Sequence, residues 1–523
     1  MSDQKNKQRA FFQGLMRCHK QLGAALGIFI FVLCFSGTVS IFHGEIAIWE
    51  SAKLSNAYGP VAGRFDDAPV DKIMQRAIAD FGGEDGRDVE VFNVRQDTPG
   101  QRFLLSNTHT ESDEAWHLSY WDGSTGELIA HQQMGISKIV REIHTDFYLP
   151  SPWGRYAIGV LGVIFMMMAV GGILIHRNWR RESDQLRFDQ KDRHKWSDLH
   201  KLSGFWALPF HITIGFTGAL LGLLGVILIM MALVAYGGDQ DAAIADIFGK
   251  DPEMSHEQAP IPAMQPFVTK AREDMQAGFN PQRVTAVYPG DKNMFVLVYG
   301  SYPETLGIDS FAKYRVDTGE PIKFVDYIHD NVALRVYSAS VPLHYATFGG
   351  PMMKFIYFAL GILSCLLPAT GLYLWLRRRP FDWQARLVYW GLLAVPVASA
   401  FGFAGALFVK WLPAFTTLSF ATSSIWYSGA AFVLGLLFVA WQAWRGDNMQ
   451  AGFVQSMALS AMLLAITAVF DVVLQASQGF SLWAPQAWGT DVALLLMAAL
   501  AFYLKQRLQL KSDVADEAVV LAN

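Results

Sequence analysis

Residues 19–43 read HKQLGAALGIFIFVLCFSGTVSIFH and residues 200–224 read HKLSGFWALPFHITIGFTGALLGLL. Both open on His-Lys and continue into an apolar run long enough for hydrocarbon about 30 Å thick, which takes roughly 20 helical residues. Ser36-Gly37 follows in the first and Thr217-Gly218 in the second, at the same separation from the leading histidine. A second pair of matches stands elsewhere: Ile143-His144 precedes Gly171, and Leu343-His344 precedes Gly371, again at one shared separation. The chain therefore predicts two copies of a unit made of helix, soluble module and helix. Each unit starts and ends on the same membrane side, so the copies run parallel and are related by an axis along the membrane normal.

Eight apolar runs are long enough to span: Leu22 to Phe42, Tyr156 to Ile175, Leu202 to Val234, Met353 to Leu376, Leu387 to Phe408, Trp426 to Trp444, Phe453 to Leu474 and Val492 to Leu504. The 523 residues are 52% hydrophobic and 17% charged, to the apolar side of a soluble domain. The fold class expected is a mainly α integral membrane protein with about eight transmembrane helices. Arg9, Arg17 and Lys20 precede the first run as they would in a signal peptide, but the run exceeds a usual h-region and no small-residue cleavage site follows it, so it reads as a retained helix.

Orientation follows from Lys and Arg in short loops. Arg177, Arg180, Arg181, Arg187, Lys191, Arg193, Lys195 and Lys201 lie between spans two and three, and Arg377-Arg378-Arg379 follows span four. Both segments are expected to be cytoplasmic, as are the N-terminus with Lys5, Lys7 and Arg9 and the C-terminus with Lys505, Arg507 and Lys511. The long segments Gly44 to Pro152 and Tyr236 to Gly350 then face outward, into the periplasm of a two-membrane bacterium, with the chain in the inner membrane. Each reads as a small α+β module: a helix (Asp71 to Phe81; Met264 to Met275), β-rich runs (Val89 to Val94, Phe103 to Leu105, Trp116 to Trp121; Val284 to Tyr288, Phe295 to Tyr299, Lys313 to Val316), then a turn (Asp122 to Glu127; Val316 to Glu320). The chain divides into 1–43, 44–152, 153–235, 236–350, 351–380, 381–505 and a tail, 506–523.

Ionisable side chains at membrane helices are costly and serve a purpose. His19 and His200 stand at the cytoplasmic edge and His144 and His344 at the outer edge. A parallel two-fold brings each equivalent pair face to face across one four-helix bundle, the arrangement that clamps haem iron from both axial sides. A pair at each face makes two b-type haems, with His19, His144, His200 and His344 as axial iron ligands and glycines such as Gly23, Gly37, Gly204 and Gly218 leaving room for a flat ring. His176 and His211 have no repeat partner and stand as further cofactor-binding candidates at the inner haem; a straight third span would put His211 about 16 Å below His200.

The remaining histidines, His43, His109, His117, His131, His194, His256 and His329, read as surface or structural residues. Trp49, Trp153, Trp411, Trp426, Trp444, Trp483 and Trp488 make an aromatic belt. Met166-Met167-Met168 fills core space, and Asp471 inside span seven is an acid with no evident partner. Cys18, Cys34 and Cys365 form no CxxC or CxxCH, which excludes covalent c-type haem, a zinc ribbon and a disulfide framework. The net charge of -4 without a basic stripe gives no support to nucleic-acid binding.

The chain resembles the PepSY-associated transmembrane proteins, iron-regulated inner-membrane proteins that include siderophore-iron reductases. The matching stretches are Arg17-Cys-His19-Lys20 with Ser36-Gly37; Ile143-His144 with Phe147-Tyr-Leu-Pro150; Gly172-Ile-Leu-Ile-His176-Arg177; Trp196-Ser-Asp-Leu-His200-Lys201 with Leu208-Pro-Phe-His211; and Pro342-Leu-His344 with Thr370-Gly371. The outer segments, with Thr125-Gly126-Glu127 and Thr318-Gly319-Glu320, resemble PepSY domains. The resemblance covers Phe11 to Arg379 closely and Trp383 onward loosely. It implies b-type haems on His19, His144, His176, His200, His211 and His344, and reduction of a ferric siderophore or other ferric chelate at the periplasmic face. No Gly-rich dinucleotide fingerprint is present, so a quinol, a flavin or a partner protein is the expected electron donor. A haem-free transporter or permease for an iron chelate accounts for the repeat and the extra spans, and a PepSY-based regulator or scaffold accounts for the soluble modules; neither needs four matched membrane-edge histidines.

Overall fold

The computed structural model describes residues 2–57, 65–83, 88–96, 103–112, 116–132, 135–176, 192–303, 305–377, 379, 382–415, 424–445, 449–477 and 485–520. Arg177, Arg180, Arg181, Arg187 and Lys191 of the basic loop, Arg378 and Trp483 lie outside these residues. In chain order the elements begin α1 (Ser2–Ser40), α2 (His43–Trp49), α3 (Ala52–Ala57), α4 (Val70–Phe81), β1 (Val89–Gln96), β2 (Phe103–Thr110), β3 (Trp116–Asp122), β4 (Leu128–His131), α5 (Ile136–Thr145) and α6 (Trp153–Ile175). There follow α7 (Asp192–Trp206), α8 (Leu208–Gly222), α9 (Leu224–Ala235), α10 (Gln240–Phe248), α11 (Gln265–Asp274), β5 (Asn280–Val287), β6 (Phe295–Ser301), β7 (Ser310–Arg315) and β8 (Pro321–Val325). The chain closes with α12 (Val332–Tyr345), α13 (Gly350–Leu376), α14 (Trp383–Phe415), α15 (Ser424–Arg445), α16 (Met449–Ser477) and α17 (Pro485–Val520).

Among the described residues seven helices are individually long and apolar enough to cross a membrane: α1, α6, α13, α14, α15, α16 and α17. The stretch Leu202 to Val234, expected as one span, is instead broken. α7 and α8 meet at Ala207 with a bend of 65°, and α9 meets α10 with a bend of 104°. Pro209 explains the first break, because it lacks the N–H that would continue the ladder of α7 and its ring would clash with the carbonyl four residues back in a continuous helix. At the second, Gly237 and Gly238 take φ of 62° and 97°, and Asp239 caps α10 by accepting from Ala242 N at 2.9 Å.

The two soluble segments contribute to a single antiparallel sheet of eight strands, in the order β4-β3-β2-β1-β5-β6-β7-β8. Separate modules were expected; here β1 and β5 pair edge to edge, Val91 with Val287 through Arg95 with Arg283, so neither half leaves that edge open. One face buries Phe92, Val94, Trp121, Val284, Val296 and Tyr314 under α4 and α11. Each such side chain, fully removed from water, contributes about 1.5–3 kcal/mol. The other face carries two smaller cores, Phe103, Leu105 and Tyr120 with Ile48 and Leu54, and Phe295, Phe311 and Val325 packed by Leu334 and Tyr337. The expected turns close β3–β4 and β7–β8, with Gly126 and Gly319 at φ of 70° and 69°.

β4 leads into α5 and β8 into α12, so these helices define a sheet side of the bundle. α1 packs on α5, α6 and α13, while α6 packs on α8 through glycines; a Cβ on Gly162 would meet Ala219 N and Gly215 O at 3.2 Å each. α14 packs on α15 and α16, and α16 on α17, around a core that also takes in Ile136, Ile139, Val140 and Ile143 of α5. The protein is a mainly helical multi-pass membrane protein with a separate antiparallel sheet.

Candidate functional site: two facing histidine pairs

His144 ends α5 and His344 ends α12, the two short helices that carry the chain from the sheet back to the bundle. Neither helix was expected from the sequence, although Ile136, Ile139, Val140 and Ile143 follow the helical i, i+3, i+4, i+7 pattern. Their imidazole centroids stand 6.0 Å apart with planes 21° apart. At the opposite end of the bundle, His19 of α1 and His200 of α7 stand 6.3 Å apart with planes at 75°. Two imidazoles bonded through nitrogen to one metal ion from opposite sides, at about 2 Å each, have centroids about 6 Å apart.

The second ring nitrogen decides what the first can do. His144 Nδ1 lies 3.1 Å from Leu33 O, and His200 Nδ1 lies 2.9 Å from Leu367 O. A carbonyl only accepts, so Nδ1 carries the proton and Nε2 keeps its lone pair. His344 Nδ1 lies 2.9 Å from Thr217 Oγ1, whose hydroxyl donates to Thr213 O at 2.7 Å and is left as an acceptor, with the same result. Metal-binding histidines are held in this way, by the ring N–H they do not use for the metal. Among the described residues His19 Nδ1 is buried without a hydrogen-bond partner.

Each ring also rests against a glycine. A Cβ would meet the histidine Cε1 at 2.6 Å for Gly37 and His144, 3.0 Å for Gly218 and His344, 3.2 Å for Gly371 and His200, and 3.5 Å for Gly172 and His19. The last is one residue from Gly171, whose Cβ would meet Leu15. The sheet-side pair lines a largely apolar cavity of about 130 Å³.

His211 is fully buried, and among the described residues neither of its ring nitrogens has a hydrogen-bond partner. Its ring lies against Phe165 at 5.2 Å and near Phe210, both of which line the sheet-side cavity. The bend at Ala207 makes the straight-helix distance to His200 inapplicable, and His211 packs on two residues that line that cavity. His176 caps α6 at the end of the bundle where His19 lies. Among the described residues no three His, Cys, Asp or Glu side chains gather as a metal centre of their own, so a metal held by either imidazole pair would need further donors from elsewhere.

Fold and site together define a multi-pass membrane protein with a histidine pair at each end of one helical bundle and a β-sheet beside one of them. The chain belongs to the family described as PepSY-associated TM region, which matches residues 16–378. It is similar to the uncharacterized protein PA4219 of Pseudomonas aeruginosa, at 29% identity over 259 residues covering 48% of this chain and 65% of that protein. The match thus spans just under two thirds of the relative's length.

Proposed function

We propose that the chain is a transmembrane electron conduit of the bacterial inner membrane that reduces a ferric siderophore or other ferric chelate on the sheet side, the periplasm, during iron acquisition. The observation that carries this reading is the double pairing: two sets of facing imidazoles, at 6.0 and 6.3 Å, at opposite ends of one bundle. His144 and His344 hold one b-type haem and His19 and His200 a second, with His211 and His176 as neighbouring groups. The fit is supported by three Nδ1 atoms already engaged, by glycines that keep space beside the rings, and by the cavity at the sheet-side pair. When bound, each haem supplies a one-electron carrier.

The protein's own residues do the rest. Leu33, Leu367 and Thr217 fix the tautomers, and the apolar walls exclude water. Oxygen-donor chelates hold ferric iron far more tightly than ferrous, so one electron delivered at the sheet side frees the metal. A quinol, a flavin or a partner protein supplies electrons at the cytoplasmic face. The two units, α1 to α6 and α7 to α13, act as parallel repeats with PepSY-like outer modules.

Absorption spectra of the detergent-purified protein, oxidised and dithionite-reduced, with a haem count per chain, test this. Two b-type haems are expected, with one lost in His144→Ala or His344→Ala. A colourless protein after haem-sufficient expression refutes the conduit.

A further inference from the structure

The conduit uses the helices up to α13 and gives α14 to α17 no task. Near their sheet-side ends these helices enclose charged side chains. Lys410 of α14, Asp471 of α16 and Asp491 of α17 are 5%, 0% and 1% exposed. Lys410 Nζ donates to Asp471 Oδ2 at 2.8 Å, Trp411 Nε1 to Asp471 Oδ1 at 2.6 Å, and Gln475 Nε2 to Asp471 Oδ2 at 2.5 Å. Asp471, which in the sequence had no evident partner, thus has three donors. Trp49 Nε1 of α2 donates to Asp491 Oδ1 at 2.9 Å, and the Lys410 ammonium stands 5.1 Å from the Trp49 ring centroid. Among the described residues Asp491 Oδ2 is buried with no donor, on a carboxyl within proton-sharing reach of Asp471. Glu50, which follows α2, is 2% exposed and accepts from Ser137 N at 2.9 Å and Ser137 Oγ at 2.6 Å in the first turn of α5.

The charged groups facing Lys410 are the carboxyls of Asp471, Asp491 and Glu50. Three carboxylates against one ammonium would leave uncompensated charge in a place where that is expensive. Asp471 alone suffices as counter-ion to Lys410, so Asp491 is not needed for a structural ion pair. A proton on Asp491 removes the excess charge and turns the donor-less Oδ2 into a donor toward Asp471, as in other carboxyl pairs that share a proton.

We propose that Asp491 and Asp471 form a proton-binding site, one exchangeable proton held beside the fixed charge of Lys410 and delivered from sheet-side water by way of Glu50. Burial pushes Glu50 up to about 7, against the pull of the Ser137 donors, so it can pass a proton near neutral pH. Trp49 and Ile143, the neighbour of His144, belong to one apolar core together with Ala468 and Leu494, which stand one helical turn from Asp471 and Asp491. With a haem held by His144 and His344, an electron placed there would draw in one proton. An O–H bond forms on Asp491 at the expense of one in outer water, and the proton leaves when the electron passes to the ferric chelate. This coupling rests on the conduit reading; the proton site does not.

Infrared difference spectra of the full-length protein between neutral and alkaline pH, where surface aspartates are already ionised, with and without 13C-aspartate, test the site. A carboxyl band that shifts with the label is expected in the wild type, is absent in Asp491→Asn and returns displaced in Asp491→Glu. No label-sensitive band in the wild type overturns the proposal, whatever the variants do. Redox titration then tests the coupling: a tenfold change in proton concentration should move the sheet-side potential by about 59 mV in the wild type and far less in Asp491→Asn. An unchanged slope in the variant overturns the coupling, and a haem-free protein overturns the conduit while the labelled band still decides the proton site.

Discussion

Gly37 and His144 meet so closely that a single methyl group separates a working pair from a displaced one. In Gly37→Ala the new Cβ would stand 2.6 Å from His144 Cε1, and the ring must swing off Leu33 O. Haem content should fall from two to one per chain, with the pair at the other end intact. Gly371→Ala, at 3.2 Å from His200 Cε1, should weaken its pair without emptying it; pyridine haemochrome counts on both variants check the order. Thr217→Val removes the acceptor of His344 Nδ1 and should cost about 10–100-fold in haem affinity, measured by haem titration of the apoprotein. Glu50 makes a prediction that needs no haem. Its folded value of about 7 lies above the unfolded 4.5, so the folded state binds more protons and stability falls as pH rises from about 4.5 through about 7. The loss approaches about 3 kcal/mol above that window. Glu50→Gln should abolish it, leaving thermal unfolding temperatures nearly level across the same range.

The sheet depends on strands that support one another across the β1–β5 seam. Trp121 is fully buried and donates to Ser106 Oγ at 2.7 Å. Trp121→Ala should cost about 3–5 kcal/mol and make the sheet the first region cut in limited proteolysis, while the haem spectrum of the bundle persists. Most of these strands could be read from alternation and turn chemistry: β1, β2 and β3, and β5, β6 and β7, lie where the pattern put them, within a few residues. The short edge strands β4 and β8 escaped notice because four or five residues such as Leu128–His131 are too few for a period-2 signal. The union of two modules into one sheet was invisible for another reason: β1 and β5 are complementary only in space, and nothing local in Val91–Arg95 names its partner. The histidine pairs were legible through the repeated spacing to Gly37, Gly218 and Gly371. The partner of Asp471 was not, since Lys410 lies 61 residues away in sequence.

The arrangement of the molecule in the membrane ties these parts together. Electrons reach the sheet side only if the sheet and the basic loops stand on opposite faces, and the broken segment from α7 to α10 is where that requirement is tested. If the bent pair α7–α8 together with α9 crosses once, the helices up to α13 make four crossings and α14 to α17 four more, so α1 begins and α17 ends on one side. If α9 and α10 form a separate crossing, the count becomes odd and α11 with β5 to β8 would leave the side of β1 to β4, which the β1–β5 pairing forbids. The 104° turn between α9 and α10 agrees with α10 lying along the interface. In a background with Cys18, Cys34 and Cys365 replaced by serine, Glu111→Cys in the sheet should react with a membrane-impermeant maleimide in intact spheroplasts. Arg445→Cys, at the end of α15, should react only after the membrane is opened. Labelling of both from one face would break the parity of the helices, and with it the proposal that electrons cross from the basic face to the sheet.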